Sequence, residues 1–104
     1  MRIGFYNENT AKNAPYVEVN GVTFYLSYET VVAVSYAMES GRVVMKVIKN
    51  YWGPTTGKHL NWISTDHSIR LDDADFQKEV EKAKEKAGID SLPSFDIGAV
   101  YGYY

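Results

Sequence analysis

Asn20-Gly21 constrains this chain more than any other pair of residues. Both residue types tolerate positive φ, as a two-residue type I′ hairpin turn demands, and apolar and polar residues alternate on either side. With that turn as the loop, Val19 faces Val22 and Val17 faces Phe24. Val17, Val19, Val22, Phe24 and Leu26 then share one face of the hairpin. Tyr16, Glu18, Thr23, Tyr25 and Ser27 share the other. Turn chemistry and side-chain alternation lead independently to the same register.

A strand on each side extends the sheet. Arg2 to Tyr6 reads as a short first strand, joined to the hairpin by a polar, Asn-rich loop from Asn7 to Pro15. Beyond the tight connection Tyr28-Glu29-Thr30, the β-branched run Val31 to Met38 is a strand, and Arg42 to Lys49 is another. Taking Ser40-Gly41 as their turn pairs Glu39 with Arg42, Met38 with Val43, Tyr36 with Met45 and Val34 with Val47. Ala37 then meets Val44 on the reverse face, and Ala33 meets Ile48. A hairpin apolar on both faces belongs at the centre of a sheet, under helix.

Residues 50–63 change the character of the chain. They contain both tryptophans and one of the two histidines. Pro54 ends the strand pattern. Thr55 or Thr56 can cap a short helix running to about Asp66, with Leu60 and Ile63 pointing inward and Gly57 weakening it. Residues 71–87 form the clearest helix. Asp72 is its N-cap, and Asp73 and Asp75 face the positive end of the helix dipole. Phe76, Val80, Ala83 and Ala87 make an apolar stripe, and Gly88-Ile89 supplies a Schellman ending. Its outer face alternates in charge, as a solvated helix does. Residues 91–104 form an aromatic tail, too apolar to stay solvated, which docks on the sheet or anchors a partner.

These elements define one α+β domain spanning residues 1–104: an antiparallel β-meander of four to five strands with two helices packed on one face. Residues 1–50 are β-rich, 51–90 hold the loop and helices, and 91–104 are the tail. The chain has no cysteine, which excludes disulfides and thiolate metal sites. No apolar run approaches the roughly 20 residues that span a bilayer, and no signal peptide is visible, so a cytoplasmic location is expected. Charge is uneven: residues 1–50 and 51–70 each carry one excess positive charge, while residues 71–104 carry four excess negative ones. Such a distribution lacks the basic face that duplex nucleic acid requires. The nine tyrosines suit either the outer face of a sheet or a recognition surface.

Chemistry concentrates in residues 50–63. Gly53-Pro54-Thr55-Thr56-Gly57-Lys58-His59 resembles a phosphate loop in outline. It has three residues between its glycines where four are needed, Pro54 lacks an N–H, and His59 stands where a magnesium-binding hydroxyl belongs. Free N–H groups at a helix start beside Lys58 could still hold a simple anion. His59 and His67, eight residues apart, match no common metal spacing, and no cofactor is implied. His59 could serve as a general base if a carboxylate partner stood beside it. Tyr51, Trp52 and Trp62, with Lys58, His59 and Arg70, could stack on single-stranded bases. Against these stands a structural reading, in which the tryptophans brace the strand-to-helix corner. The candidate binding residues are Trp52, Thr55, Thr56, Lys58, His59, Asn61 and Trp62; no catalytic or metal-binding residue is assigned.

Two segments also carry a resemblance. Ser27-Tyr28-Glu29-Thr30-Val31-Val32-Ala33, followed by Asn50, Trp52, Thr55-Thr56-Gly57-Lys58-His59-Leu60-Asn61 and Ile63, is similar to a pattern in short uncharacterised proteins of bacteriophages and mobile elements. The resemblance covers about residues 24–63 and supplies no catalytic role. It implies a small phage-type accessory protein that binds and blocks a host or defence-system macromolecule without catalysis, in the host cytoplasm. A protein partner is the leading expectation and single-stranded nucleic acid the alternative, with a small His59-dependent enzyme third. An unpaired sheet edge and the apolar tail leave a homodimer open.

Overall fold

The hairpin around Asn20-Gly21 organises the fold. In the computed structural model, which describes residues 2–6, 14–28 and 30–90, both turn residues have positive φ (50° and 81°). Strand β2 (Pro15–Val19) pairs with β3 (Val22–Ser27) in the expected register, Val19 opposite Val22 and Val17 opposite Phe24. Strand β1 (Arg2–Phe5) adds antiparallel to β2, where an Arg2–Glu18 ion pair of 3.0 Å ties the two at the surface. The Asn7–Asn13 part of the expected loop and residues 91–104 lie outside the described residues.

Strands β4 (Thr30–Ala37) and β5 (Val43–Ile48) continue the antiparallel order, one residue away from the expected register. Ala37 faces Val43, Tyr36 faces Val44 and Ala33 faces Val47. The cause is the loop. The Gly41 N–H donates to Met38 O (2.8 Å), and the Met38 N–H donates to Arg42 O (2.7 Å). Gly41 sits at φ 86°. This is a three-residue loop in which a turn is followed by a left-handed glycine, rather than a two-residue turn. The extra residue moves every pair by one. Between β3 and β4, Tyr25 faces Ala33 but Leu26 faces Val31, so Val32 is a bulge.

Helix α1 (Pro54–Ile63) follows β5, and a 3-10 turn at His67–Ile69 leads into β6 (Arg70–Leu71). The two-residue β6 pairs parallel with the end of β5, Val47 opposite Arg70 and Ile48 opposite Leu71. Helix α2 (Asp73–Ala87) closes the described chain. Among the described residues the sheet therefore has six strands in sequential order with one parallel pair, where a purely antiparallel sheet of four to five was expected. Leu71, expected as the first helical residue, belongs to β6.

The helices take opposite faces of the sheet, in place of the single shared face expected. Val17, Val22, Phe24, Val34, Tyr36 and Ile48 project to one face, which α2 covers with Phe76, Val80, Ala83 and Ala87, all buried. Lys86 of α2 lies 5.0 Å from the Tyr36 ring centroid. Tyr25, Ser27, Ala33, Val47 and Arg70 project to the other face, and α1 reaches two of them: Thr56 and His59 bond Ser27, and Asn61 bonds Arg70. Burying a side chain as large as Phe76 contributes about 1.5–3 kcal/mol, which makes the α2 stripe the larger apolar contribution. Gly88 closes α2 with φ 73°, and the Ile89 N–H donates to Lys84 O (3.0 Å), as the Schellman pattern requires.

Candidate functional site

The site is a corner where β5 turns into α1, and Asn50 builds it. The Asn50 Oδ1 accepts the Trp52 N–H (2.9 Å), and its Nδ2 donates to Gly53 O (3.3 Å). Gly53 is the N-cap of α1 without a side-chain cap bond, and Pro54 opens the helix, where its fixed φ fits and no N–H is needed. Thr55 and Thr56 thus stand inside the first turn and do not cap it. The helix stops at Ile63, and Asp66 instead caps the 3-10 turn by accepting from Ser68. Those bonds, the Ser68 hydroxyl first, hold the Asp66 carboxyl below its usual pKa. Gly57 is explained by Asn50: a Cβ there would stand 3.0 Å from the Asn50 Nδ2. The corner is tied to α2 by a Lys49–Asp72 ion pair (2.7 Å) and by the Tyr51 hydroxyl, which accepts the Asp73 N–H (3.1 Å).

Besides the buried Leu60, the inward face of α1 is polar and aromatic. His59 is 1% exposed, and its Nδ1 is hydrogen-bonded to the Ser27 hydroxyl at 2.7 Å. The Ser27 hydroxyl also bonds the buried Thr56 hydroxyl at 3.1 Å. Trp62, one turn along the helix, stacks on the imidazole (centroids 5.3 Å apart, planes 25° apart). Tyr28 lies against it at 5.9 Å, and Tyr6 meets it edge-on at 6.4 Å. Burial, with the Lys58 charge second, lowers the His59 pKa from 6.5 and favours the neutral imidazole. No carboxylate bonds His59 among the described residues. The Tyr6 hydroxyl donates to Leu26 O (2.6 Å) and its ring packs edge-on against Tyr25, whose own pKa is raised by burial.

The seven candidate residues thus divide. Thr56 and His59 are buried in the network with Ser27. Asn61 is exposed but engaged, its Oδ1 accepting from Arg70 Nη2 (3.0 Å) and hydrogen-bonded to His67 Nε2 (3.3 Å). Trp62 covers His59 with one ring face and is 38% exposed. Trp52, Thr55 and Lys58 are exposed. Two residues were absent from the candidates. Ser27, the imidazole's partner, lies 32 positions away, beyond the reach of any local pattern. Tyr28 holds φ 57°, unusual for an aromatic residue, and is 50% exposed. The sequence placed a tight connection at Tyr28-Glu29-Thr30, and Ser27 does pair with Thr30, but no pattern revealed the Tyr28 conformation.

Among the described residues no cluster of His, Asp or Glu converges on a metal position, and no helix is long and apolar enough to cross a membrane. A family model described as a family of unknown function, DUF8033, matches residues 3–78, so the chain belongs to that family. The match runs from β1 into the first turns of α2 and includes the whole corner. No curated protein and no solved structure matches the chain.

Proposed function

We propose that this DUF8033 protein is a non-enzymatic binding protein that contacts a protein partner through the exposed side of the β5–α1 corner. One observation carries the reading. Among the described residues the large exposed apolar side chains include four aromatics, and all four belong to this corner or lie against it: Tyr28, Tyr51, Trp52 and Trp62. Trp52 precedes α1 and Trp62 lies near its end, with residues 54–61 of the helix, about 12 Å of axis, between them and Thr55 and Lys58 exposed on that stretch. Exposed aromatics around a single cation have the composition of an interface core.

Tyr28 supports the same reading. A tyrosine at positive φ costs energy that Gly or Asn would avoid, and here it places a half-exposed ring beside the buried His59. His59 itself, buried and bonded to Ser27, is better suited to hold this surface in shape than to meet a substrate.

On the sequence resemblance of residues 24–63 to phage and mobile-element proteins, the proposed context is a small accessory protein of the host cytoplasm that binds and blocks a host or defence-system component. Cation placement favours protein over single-stranded nucleic acid. Arg70 is committed to Asn61 and Ser64 O, and Lys49 to Asp72, which among the described residues leaves Lys58 to face phosphates on this surface.

The test is affinity capture from host lysate with wild type and a folded Trp52→Ser/Lys58→Glu variant. Selective loss of wild-type partners supports the reading, and recovery of the same partners by both removes it. A salt titration with labelled single-stranded DNA covers the alternative: binding at low salt that fades with added salt would favour nucleic acid.

A further inference from the structure

We infer that the outer edge of β5 is a second binding surface, which takes a short extended segment of a partner protein whose side chains alternate acidic and apolar. This inference concerns a different surface from the α1 corner and stands whether or not that corner binds.

Strand β6 pairs only with Val47 and Ile48, so Val43 to Lys46 have no outer neighbour among the described strands. The direction of the free groups follows from the pairing. The Met38 N–H bonds Arg42 O toward β4, and the Lys49 N–H bonds Leu71 O toward β6. Backbone groups alternate along a strand, so the N–H and C=O of Val43 and Met45 point outward with those of Lys49. Four main-chain groups are thereby aligned to accept an added strand. Beside them lies a groove of about 720 Å³ between β5, the 3-10 turn and α2.

The side chains define the occupant. Arg42 and Lys46 alternate with Val43 and Met45, so the cations lie on the α2 face of the sheet. Lys82 of α2 joins them on the groove wall, where Glu79, the one carboxylate among the described lining residues, already pairs with Lys82 at 3.6 Å. Among the described residues, Arg42 and Lys46 have no carboxylate partner, in a chain whose net charge is −2. On the other face Val43 is 67% exposed and Met45 half-buried. An added strand therefore needs carboxylates toward α2 and apolar side chains over Val43 and Met45. A second copy of this chain would bring Arg42 and Lys46 against their own counterparts, which like-charge repulsion disfavours.

The experiment is an NMR titration of the isotope-labelled full-length chain at low salt. One probe is a synthetic eight-residue peptide alternating glutamate with valine, and the other alternates lysine with valine. The glutamate peptide should shift the amides of Val43, Met45 and Lys46 and slow hydrogen exchange at Val43 and Met45, leaving Thr55 and Lys58 unmoved. The lysine peptide should not. An Arg42→Glu/Lys46→Glu variant should weaken the glutamate peptide by about tenfold or more and admit the lysine peptide. Met45→Pro, which removes an outward N–H, should abolish binding; the charge-reversal variant carries the test if the proline variant does not fold. No shift with the glutamate peptide, or equal shifts with both, overturns the inference. So does a concentration dependence of these amides without peptide, which would mean a second copy. Protection of Val43 and Met45 in the dilute free protein also overturns it, because a segment of the chain itself would then hold the edge.

Discussion

The two helices lie on the two faces of one sheet and are held by different physics. Helix α2 lays four apolar side chains at helical spacing onto an apolar face, an arrangement that depends on area and shape. Helix α1 buries Leu60, but its other buried side chains are Thr56 and His59, whose polar atoms must be met. The first attachment tolerates conservative change and carries a solvated, charge-alternating outer face. The second depends on a few groups at fixed positions, and it carries the exposed Trp62 with Trp52 just ahead of its first turn. A helix that must present a surface in one geometry gains from directional bonds behind it. That contrast links the buried Ser27–Thr56–His59 network to the binding role proposed for the exposed side of the same corner.

Breaking the apolar attachment should have the largest effect. Phe76→Ala removes a fully buried ring between α2 and the sheet and should cost about 3–5 kcal/mol by chemical denaturation. Breaking the polar attachment comes next. Ser27→Ala leaves two buried groups without their partner and should cost about 1–3 kcal/mol, while Ser27→Thr retains a hydroxyl and should recover part of it. Equal costs for Ser27→Ala and Ser27→Thr would show that the hydroxyl contributes nothing.

Gly57 sharpens the contrast at a smaller scale. At an ordinary helix position Gly→Ala gains about 1 kcal/mol. Here the gain should be absent, because the added Cβ meets the Asn50 amide, and it should return when Asn50 is also replaced by Ala. A double-mutant cycle reads this coupling directly, and strict additivity would contradict it.

The pH response separates the two attachments again. The His59 pKa is lowered in the fold, so the unfolded chain binds its proton more readily. The stability contributed by neutral His59 is complete above 6.5, the unfolded value, and is lost as pH falls through the folded pKa. The unfolding midpoint should therefore drop on acidification, and the drop should shrink in His59→Gln. An unchanged pH profile in that variant would assign the effect to other groups.

The same contrast explains what could be read from the sequence. Val17, Val19, Val22 and Phe24 fix the first hairpin because Asn20-Gly21 leaves no spare residue in the turn. The stripe from Phe76 to Ala87 and the Gly88 ending are local patterns, and both hold. Ser40-Gly41 looked equally simple, but the left-handed Gly41 adds a residue to the loop, which alternation alone could not detect in strands apolar on both faces. Strand β6 has two residues, too few to show a period. The opposite placement of the helices follows from Ser27 and Arg70 as the partners of α1, both distant in sequence or unremarkable in pattern. Gly53-Pro54 was the local signal for the start of α1, since proline suits a first helical position, and it outranks the threonines that follow. Residues 50–63 hold the candidate side chains, but which of them face inward depended on contacts that no spacing encodes.

The central claim is that α1 is fixed from behind by Ser27, Thr56 and His59 in order to present Trp52 and Lys58. The most direct measurement is partner capture from host lysate by the Trp52→Ser/Lys58→Glu protein, with its folding verified by near-UV circular dichroism. A Lys78→Glu variant on the outer face of α2 serves as the control. The account predicts that the α1-face variant, destabilised by no more than about 1 kcal/mol, loses the partners that wild type and the α2-face variant both retain. Recovery of the same partners by all three proteins would contradict it.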